Sequence, residues 1–195
     1  LRAHVHLTLW DRSAVAAVSV SHARLRDLDH TSNDRERRHV RALDLWASGD
    51  WQGMRDQMDR LGAEYPRDLL ALQIGHLTDF YHGDRDNLRG RVQRALPAWS
   101  RDDPGYGFVL GMLAFGHEES GAYGLAEETG RSAFEVEPDD CWAQHALAHV
   151  MEMQGRQADG PASLAAPAPH RALGGHASAF HHSRHLAPSS PARRR

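Results

Sequence analysis

Apolar residues recur at steps of three and four along most of the chain, which is the spacing of one face of an α-helix. No segment shows the strict alternation of apolar and polar residues that is typical of a half-buried strand. The pattern therefore predicts an all-α fold. The positions that carry it most clearly are Leu43, Trp46, Leu70, Ile74, Leu77, Phe80, Phe108, Met112, Phe115, Trp142, Ala146 and Met153.

Four short segments that contain glycine interrupt the helical pattern at regular intervals. Their glycines are Gly49, Gly83, Gly121 and Gly155, at spacings of 34, 38 and 34 residues. A period near 34 residues is typical of arrays of helix–turn–helix repeats. Glycine adopts the left-handed conformation at low cost, so we expect each of these residues to end the first helix of a pair.

Two prolines keep the same register as the glycines. Pro66 follows Gly49 by 17 residues, and Pro138 follows Gly121 by 17 residues. Proline is favoured in the first turn of a helix, so we expect each proline to open the next pair. The second helices of the pairs are predicted over 51–65, 84–98 and 122–137, and an unpaired helix over about 139–155.

Several blocks of sequence make this repeat pattern more specific. Gly121, Ala126, Ala133 and Pro138 match the tetratricopeptide repeat pattern at its own offsets. Four further blocks lie at 35–40, 66–73, 104–112 and 145–156. On these residues the chain resembles the tetratricopeptide repeat protein 38 family over about residues 34–160. The resemblance implies a tetratricopeptide-like solenoid of antiparallel helix pairs and no established reaction.

Composition divides the chain into three segments. We expect a helical or irregular lead-in over 1–33, the helical repeat domain over 34–159, and a disordered or degenerate tail over 160–195. Residues 1–159 carry 18 arginines and 26 acidic residues, whereas the tail carries five arginines and no acidic residue. Pro161 and Pro167 fall where the family continues a helix, and proline breaks a helix interior. A truncated or frameshifted family member without function is therefore one alternative.

Composition also limits which cellular environments and which classes of partner we expect. The acidic body argues against binding to duplex nucleic acid, which requires a positively charged stripe. No apolar run approaches the 18 residues of a membrane span. The single cysteine, Cys141, cannot form an intrachain disulfide, so we expect a reducing, cytoplasmic environment. The chain contains no lysine, which indicates the coding bias of a GC-rich genome and favours a bacterial source.

The repeat register places one set of side chains along a common groove. In tetratricopeptide arrays the first helix of each pair lines a concave surface, and such grooves bind extended peptides or a partner helix. We therefore expect a protein-interaction module that binds a peptide or partner protein. The alternative for the three aromatic residues of this set is packing between repeats. The predicted groove residues are Leu43, Trp46, Leu77, Phe80, Phe115, Glu118, His145 and His149.

A second hypothesis rests on the last helix. His145, His149 and Glu152 are spaced by four and three residues, which puts all three on one helical face. Two imidazoles and one carboxylate can hold a divalent metal, so a metal-dependent enzyme of unknown reaction is the alternative function. Hydrogen bonds between these side chains are the simpler explanation. Because no nucleotide-binding or nucleophile motif is present, the sequence favours a binding module over an enzyme.

Overall fold

The computed structural model describes residues 12–27 and 31–159, and these residues form eight α-helices and two short 3-10 turns. No β-strand occurs within these two ranges, so the predicted all-α fold is confirmed there. The predicted tail over 160–195 lies outside the described residues. The helices are α1 (Arg12–Asp27), α2 (Asp34–Ala47), α3 (Trp51–Glu64), α4 (Leu69–Tyr81), α5 (Arg85–Ala95), α6 (Tyr106–Glu119), α7 (Tyr123–Val136) and α8 (Cys141–Met153).

Neighbouring helices pack in pairs. Helix α2 contacts α3, α4 contacts α5, and α6 contacts α7, while α8 packs on both α6 and α7. Helix α1 forms within the lead-in and packs on α2. The predicted packing of adjacent helices in pairs is therefore confirmed, and the helix predicted over about 139–155 is observed as α8. Within the described part of the chain, no helix has both the length and the apolar character needed to cross a membrane.

Glycines and aspartates set the ends of the helices. Gly49, Gly83, Gly121 and Gly155 have φ angles between +69° and +79°, so each takes the left-handed conformation that the sequence predicted. Aspartate side chains then accept hydrogen bonds from backbone amides in the first turns of α3, α4, α5 and α8. These caps satisfy amides that have no partner inside the helix. Local signals in the sequence thus account for most helix boundaries.

Two expected boundaries differ from the observed ones. Pro66 and Pro138 lie two residues before the capping Asp68 and Asp140, rather than inside a first helical turn. The backbone amide of Asp68 donates to the carbonyl of Tyr65 at 2.8 Å, so Pro66 occupies the second position of a tight turn, where proline is favoured. Helix α5 ends at Ala95, and the chain continues as a 3-10 turn over Leu96–Ala98 that contains a proline.

Helix α6 lies at the centre of the second half of the molecule. Eleven of its fourteen residues are buried. A Cβ atom placed at Gly111 would lie 1.7 Å from the carboxylate of Asp140, and one at Gly107 would lie 2.4 Å from the Cβ of Glu137. The absence of side chains at these positions lets α6 approach the α7–α8 connection closely. This close approach brings the side chains of α6 and α8 into contact.

A buried group of charges connects α3, α4 and α5. Asp79 is fully buried, and it accepts hydrogen bonds from Arg91 Nε at 2.8 Å and from Arg55 Nε at 3.1 Å. Arg91 also forms an ion pair with Asp59, with 3.0 Å between Nη1 and Oδ1. Each arginine comes from a helix that flanks α4, so Asp79 neutralises charges from both sides.

Candidate functional site

A cluster of rings joins α4, α6 and α8. Phe115 of α6 is 1% exposed, and its ring centroid lies 5.2 Å from Phe80, 4.9 Å from Trp142 and 5.6 Å from His145. His76 of α4 lies 5.8 Å from the ring of Phe115. Phe80, Trp142 and His145 are only half-buried, so they present part of each ring to solvent. We call the surface formed by these three side chains and His149 the ring face.

The predicted groove residues do not all belong to this surface. Leu43 is 1% exposed and packs against Val18 of α1, because α1 covers that side of α2. Phe115 and Leu77 are likewise buried and serve as core residues. Trp46 is half-buried beside Trp51, with ring centroids 6.1 Å apart. Core packing, the alternative considered for the aromatic residues, therefore describes Phe115, and a partner-binding role for the predicted groove residues stays a prediction.

His149 of the ring face lies against Glu118 of α6. His149 Nδ1 lies 3.5 Å from Glu118 Oε1, and the hydrogen bond to this carboxylate raises the pKa of His149 above its usual value. The ring of His145 lies 4.2 Å from that of His149. Burial, together with the charge of His149, lowers the pKa of His145. Of the two rings, His149 therefore holds a proton more readily than His145 does.

Glu118 is the most unusual polar residue here. It is 7% exposed, and its second carboxylate oxygen, Oε2, is buried without a hydrogen-bond partner. Beside it, burial and the charge of Glu118 raise the pKa of Glu119. A buried carboxylate oxygen costs free energy when it is left unpaired, so this position favours a donor supplied from outside.

The predicted metal ligands are only partly brought together. His145 and His149 are adjacent, but Glu152 is exposed, and the carboxylate that lies against His149 is Glu118. Within the described residues, no three histidine, cysteine, aspartate or glutamate side chains are grouped so that they could hold a metal ion. A metal site at His145, His149 and Glu152 stays a prediction.

Exposed apolar side chains flank the ring face. Tyr81 is 51% exposed, and its ring lies 5.3 Å from that of Phe80. Met153, one turn after His149 on α8, is 63% exposed. Large apolar side chains that remain in water beside half-buried rings are typical of surfaces that bind other proteins.

His76 is a residue that the sequence analysis did not single out. It is fully buried, and its Nε2 donates a hydrogen bond to the carbonyl oxygen of Met112 at 3.0 Å. Burial lowers the pKa of His76 to about 3, so the ring is neutral. Its position among the apolar residues of α4 was the available signal, since a histidine in an apolar run is usually a buried one.

Comparison with known proteins leaves this surface to be interpreted from its own geometry. No protein-family model matches the chain, and no solved structure is significantly similar to it.

Proposed function

We propose that the chain is a protein-interaction module that binds a peptide or partner protein across the ring face. The observation that carries this proposal is the set of half-buried rings of Phe80, Trp142 and His145, which rest on the fully buried ring of Phe115. Rings supported in this way are held in place before a partner arrives. Binding then costs little side-chain entropy, which is a common feature of interface residues that contribute most affinity.

The repeat architecture supports the same proposal. We propose that the helix pairs form a tetratricopeptide-like solenoid, in which α4, α6 and α8 are the first helices of successive pairs. The evenly spaced glycines with positive φ and the packed pairs favour this arrangement. First helices line the concave surface of such arrays, and that is where the ring face lies in this proposal.

Polar groups give the proposed surface its selectivity. Glu118 offers a buried carboxylate oxygen without a partner, and Glu119 lies beside it. Residues 102–159 carry twelve acidic residues and two arginines, so the surroundings favour hydrogen-bond donors and positive charge. We therefore expect the partner to present an apolar or aromatic residue next to a basic one. The free thiol of Cys141 favours a reducing, cytoplasmic location for this module.

A selection from a displayed peptide library tests the proposal. We expect a selection against the full chain to enrich a set of peptides. These peptides should bind the wild type and the variant Leu125→Ala equally well, because Leu125 is exposed on α7 and belongs to no part of the ring face. The variants Phe80→Ala and His149→Ala should bind the same peptides about tenfold more weakly. Far-UV circular dichroism on each variant checks that the helices persist.

Two results would contradict this function. One is the absence of any enriched peptide. The other is equal affinity of the enriched peptides for the wild type and for His149→Ala, with the helices of both intact. Because His149 is half-buried and lies at the surface of α8, its replacement tests binding more cleanly than that of Phe80.

A further inference from the structure

A cavity of about 400 Å³ lies between α3 and α5 and shares no residue with the ring face. Its apolar wall includes Met58 of α3, Leu72 of α4 and Ala95 of α5, and Pro66 closes one side. Cavities that bind small organic molecules have volumes of roughly 300 to 1,000 Å³ and mainly apolar walls. Both the size and the lining of this cavity fit a small ligand.

One wall of the cavity carries a buried arginine with spare hydrogen-bonding capacity. The side chain of Arg91 is 3% exposed; its Nε donates to Asp79, and its Nη1 pairs with Asp59. Its Nη2 is buried without a hydrogen-bond partner. Buried polar groups are nearly always paired, and a guanidinium has donors only, so the missing partner is an acceptor.

A second arginine stands beside the first. Arg94 lines the same cavity with its side chain 62% exposed, and its Nη2 donates to Asp59 Oδ1 at 3.3 Å. Arg91 and Arg94 thus share a single carboxylate, that of Asp59. Among the charged side chains that line the cavity, two are arginines and one is an aspartate. The wall therefore presents two guanidinium groups next to an apolar surface.

We infer that this cavity binds a small organic monocarboxylate with an apolar body. The carboxylate accepts hydrogen bonds from Nη2 of Arg91 and from Arg94, since a guanidinium recognises a carboxylate through paired N–H donors. The apolar body lies against Met58 and Leu72. This ligand supplies the acceptor that Arg91 lacks. The site is independent of the peptide-binding function proposed for the ring face.

Titration of the full chain with hexanoate tests the inference directly. The chain has five methionines, and labelling their methyl groups with carbon-13 gives one reporter inside the cavity, Met58, and remote ones on α8, Met151 and Met153. We expect hexanoate to shift the Met58 methyl signal saturably and to leave those of Met151 and Met153 unchanged. Hexan-1-ol, which has the same chain length without the charge, should bind at least about tenfold more weakly.

Two outcomes of this titration would overturn the inference. The first is that the Met58 signal shows no saturable shift up to about 10 mM hexanoate, beyond which binding carries little specificity. The second is equal affinity for hexanoate and hexan-1-ol, because that result would show that the arginines do not recognise the carboxylate.

A variant that fills the cavity separates binding from folding. Gly62 of α3 lines the cavity, and a Cβ atom placed there meets no atom within 4 Å, so the leucine of Gly62→Leu has room. Leucine also favours a helix more than glycine does, so the fold should be retained. We expect Gly62→Leu to weaken hexanoate binding by about tenfold or more, and Arg94→Gln by about threefold.

Gly124→Leu is the matched control for that variant. Gly124 is a helical glycine of α7 that also has open space around its Cβ position, and it does not line the cavity. Its replacement should leave hexanoate affinity unchanged. Undiminished binding by Gly62→Leu, with Gly124→Leu behaving like the wild type, would show that hexanoate does not occupy this cavity.

Discussion

Residues 34–101 and residues 102–159 hold their helices together in different ways. The first region carries twelve arginines and eleven acidic residues, whereas the second carries two arginines and twelve acidic residues. Ion pairs between helices, with Asp79 at their centre, stabilise the first region. In the second region, Gly107 and Gly111 of α6 let this helix lie close to the α7–α8 connection. Apolar clusters pack the helices of both regions, and buried ion pairs are added in the first region and close backbone approach in the second.

Buried ion pairs and close glycine contacts are sensitive to different mutations. A buried ion pair contributes little net free energy compared with apolar packing, but the loss of one partner leaves the other charge buried alone. A close glycine contact has no space for even a single added methyl group. Mutations of each kind therefore test whether the two regions are stabilised as the structure indicates.

The largest effect is expected from Asp79→Ala. This change leaves Arg91, whose side chain is 3% exposed, and Arg55 without their buried carboxylate. We expect the free energy of unfolding to fall by about 3–5 kcal/mol, as for other broken buried ion pairs. Denaturant unfolding followed by far-UV circular dichroism measures the change.

Asp86→Ala provides the control for the first region. Asp86 is fully exposed on α5, and its contact with Arg89 is 4.0 Å long. Its replacement should leave the unfolding midpoint nearly unchanged, because exposed ion pairs contribute little. Equal midpoints for Asp79→Ala and Asp86→Ala would mean that the buried charges do not stabilise α3, α4 and α5.

A smaller loss is expected from Gly111→Ala in the second region. The new methyl group would lie 1.7 Å from Asp140 Oδ2 and 3.2 Å from the backbone nitrogen of Ala143. Asp140 caps α8, so the carboxylate must leave its capping position or α6 must shift. We expect a loss of about 1–3 kcal/mol in the free energy of unfolding.

Gly124→Ala is expected to raise the free energy of unfolding, because this glycine has space for the added methyl group. No atom lies within 4 Å of the Cβ position of Gly124. Alanine favours a helix more than glycine, so this variant should be more stable than the wild type by up to about 1 kcal/mol. If the Gly111→Ala variant were also more stable than the wild type, close approach of α6 to the residue that caps α8 would not explain how this region is packed.

The smallest effect concerns the junction of the two regions, where His76 of α4 bonds to the backbone of α6. The pKa of His76 is about 3 in the folded protein, against an ordinary value of 6.5. Its stabilising contribution is complete above about pH 6.5 and is lost as the pH falls towards 3, because only the unfolded chain takes up the proton. Between pH 6.5 and about 5.5 this loss amounts to about 1 kcal/mol.

The measurement compares the wild type with His76→Gln at each pH. Acidification also protonates Asp140, whose pKa burial raises to about 6, and this stabilises the fold in the opposite direction. The difference between the two proteins removes that shared contribution. Parallel pH dependences for the wild type and His76→Gln would show that His76 is not the source of the acid sensitivity.

The sequence predicted the helix boundaries because their causes are local. A glycine with positive φ, such as Gly49 or Gly121, ends a helix through its own backbone, and a capping aspartate acts within three residues. The regular spacing of the glycines was sufficient to predict three helix pairs and a further helix over about 139–155. None of these features depends on how distant helices pack.

The buried charges could not be predicted in this way. A charged residue in a helix usually faces solvent, so Asp79 and Arg91 gave no reason to expect a network. One signal was present: Asp79 is the single acidic residue of α4, which is otherwise mainly apolar. Its partners come from α3 and α5, and the rotation of those helices is set by packing rather than by sequence spacing.

The ring face could be predicted only in part, because its contacts also depend on how the helices pack. The repeat register grouped Glu118, His145 and His149 as groove residues, and spacing within the last helix grouped Glu152 with the two histidines. Adjacent helices meet with an offset, so Glu118 of α6 lies against His149 of α8 instead. Spacing within one helix fixes which residues share a face, whereas the contacts across helices depend on that offset.

The unequal distribution of arginine also affects how the molecule meets others in solution. Residues 102–159 are strongly acidic, whereas residues 34–101 are nearly neutral, so the region that contains α6, α7 and α8 carries the net negative charge. A cationic molecule that diffuses nearby is attracted to α6, α7 and α8 before it touches the protein. This attraction acts over about 8 Å at physiological ionic strength, so added salt slows the encounter before it weakens the contact.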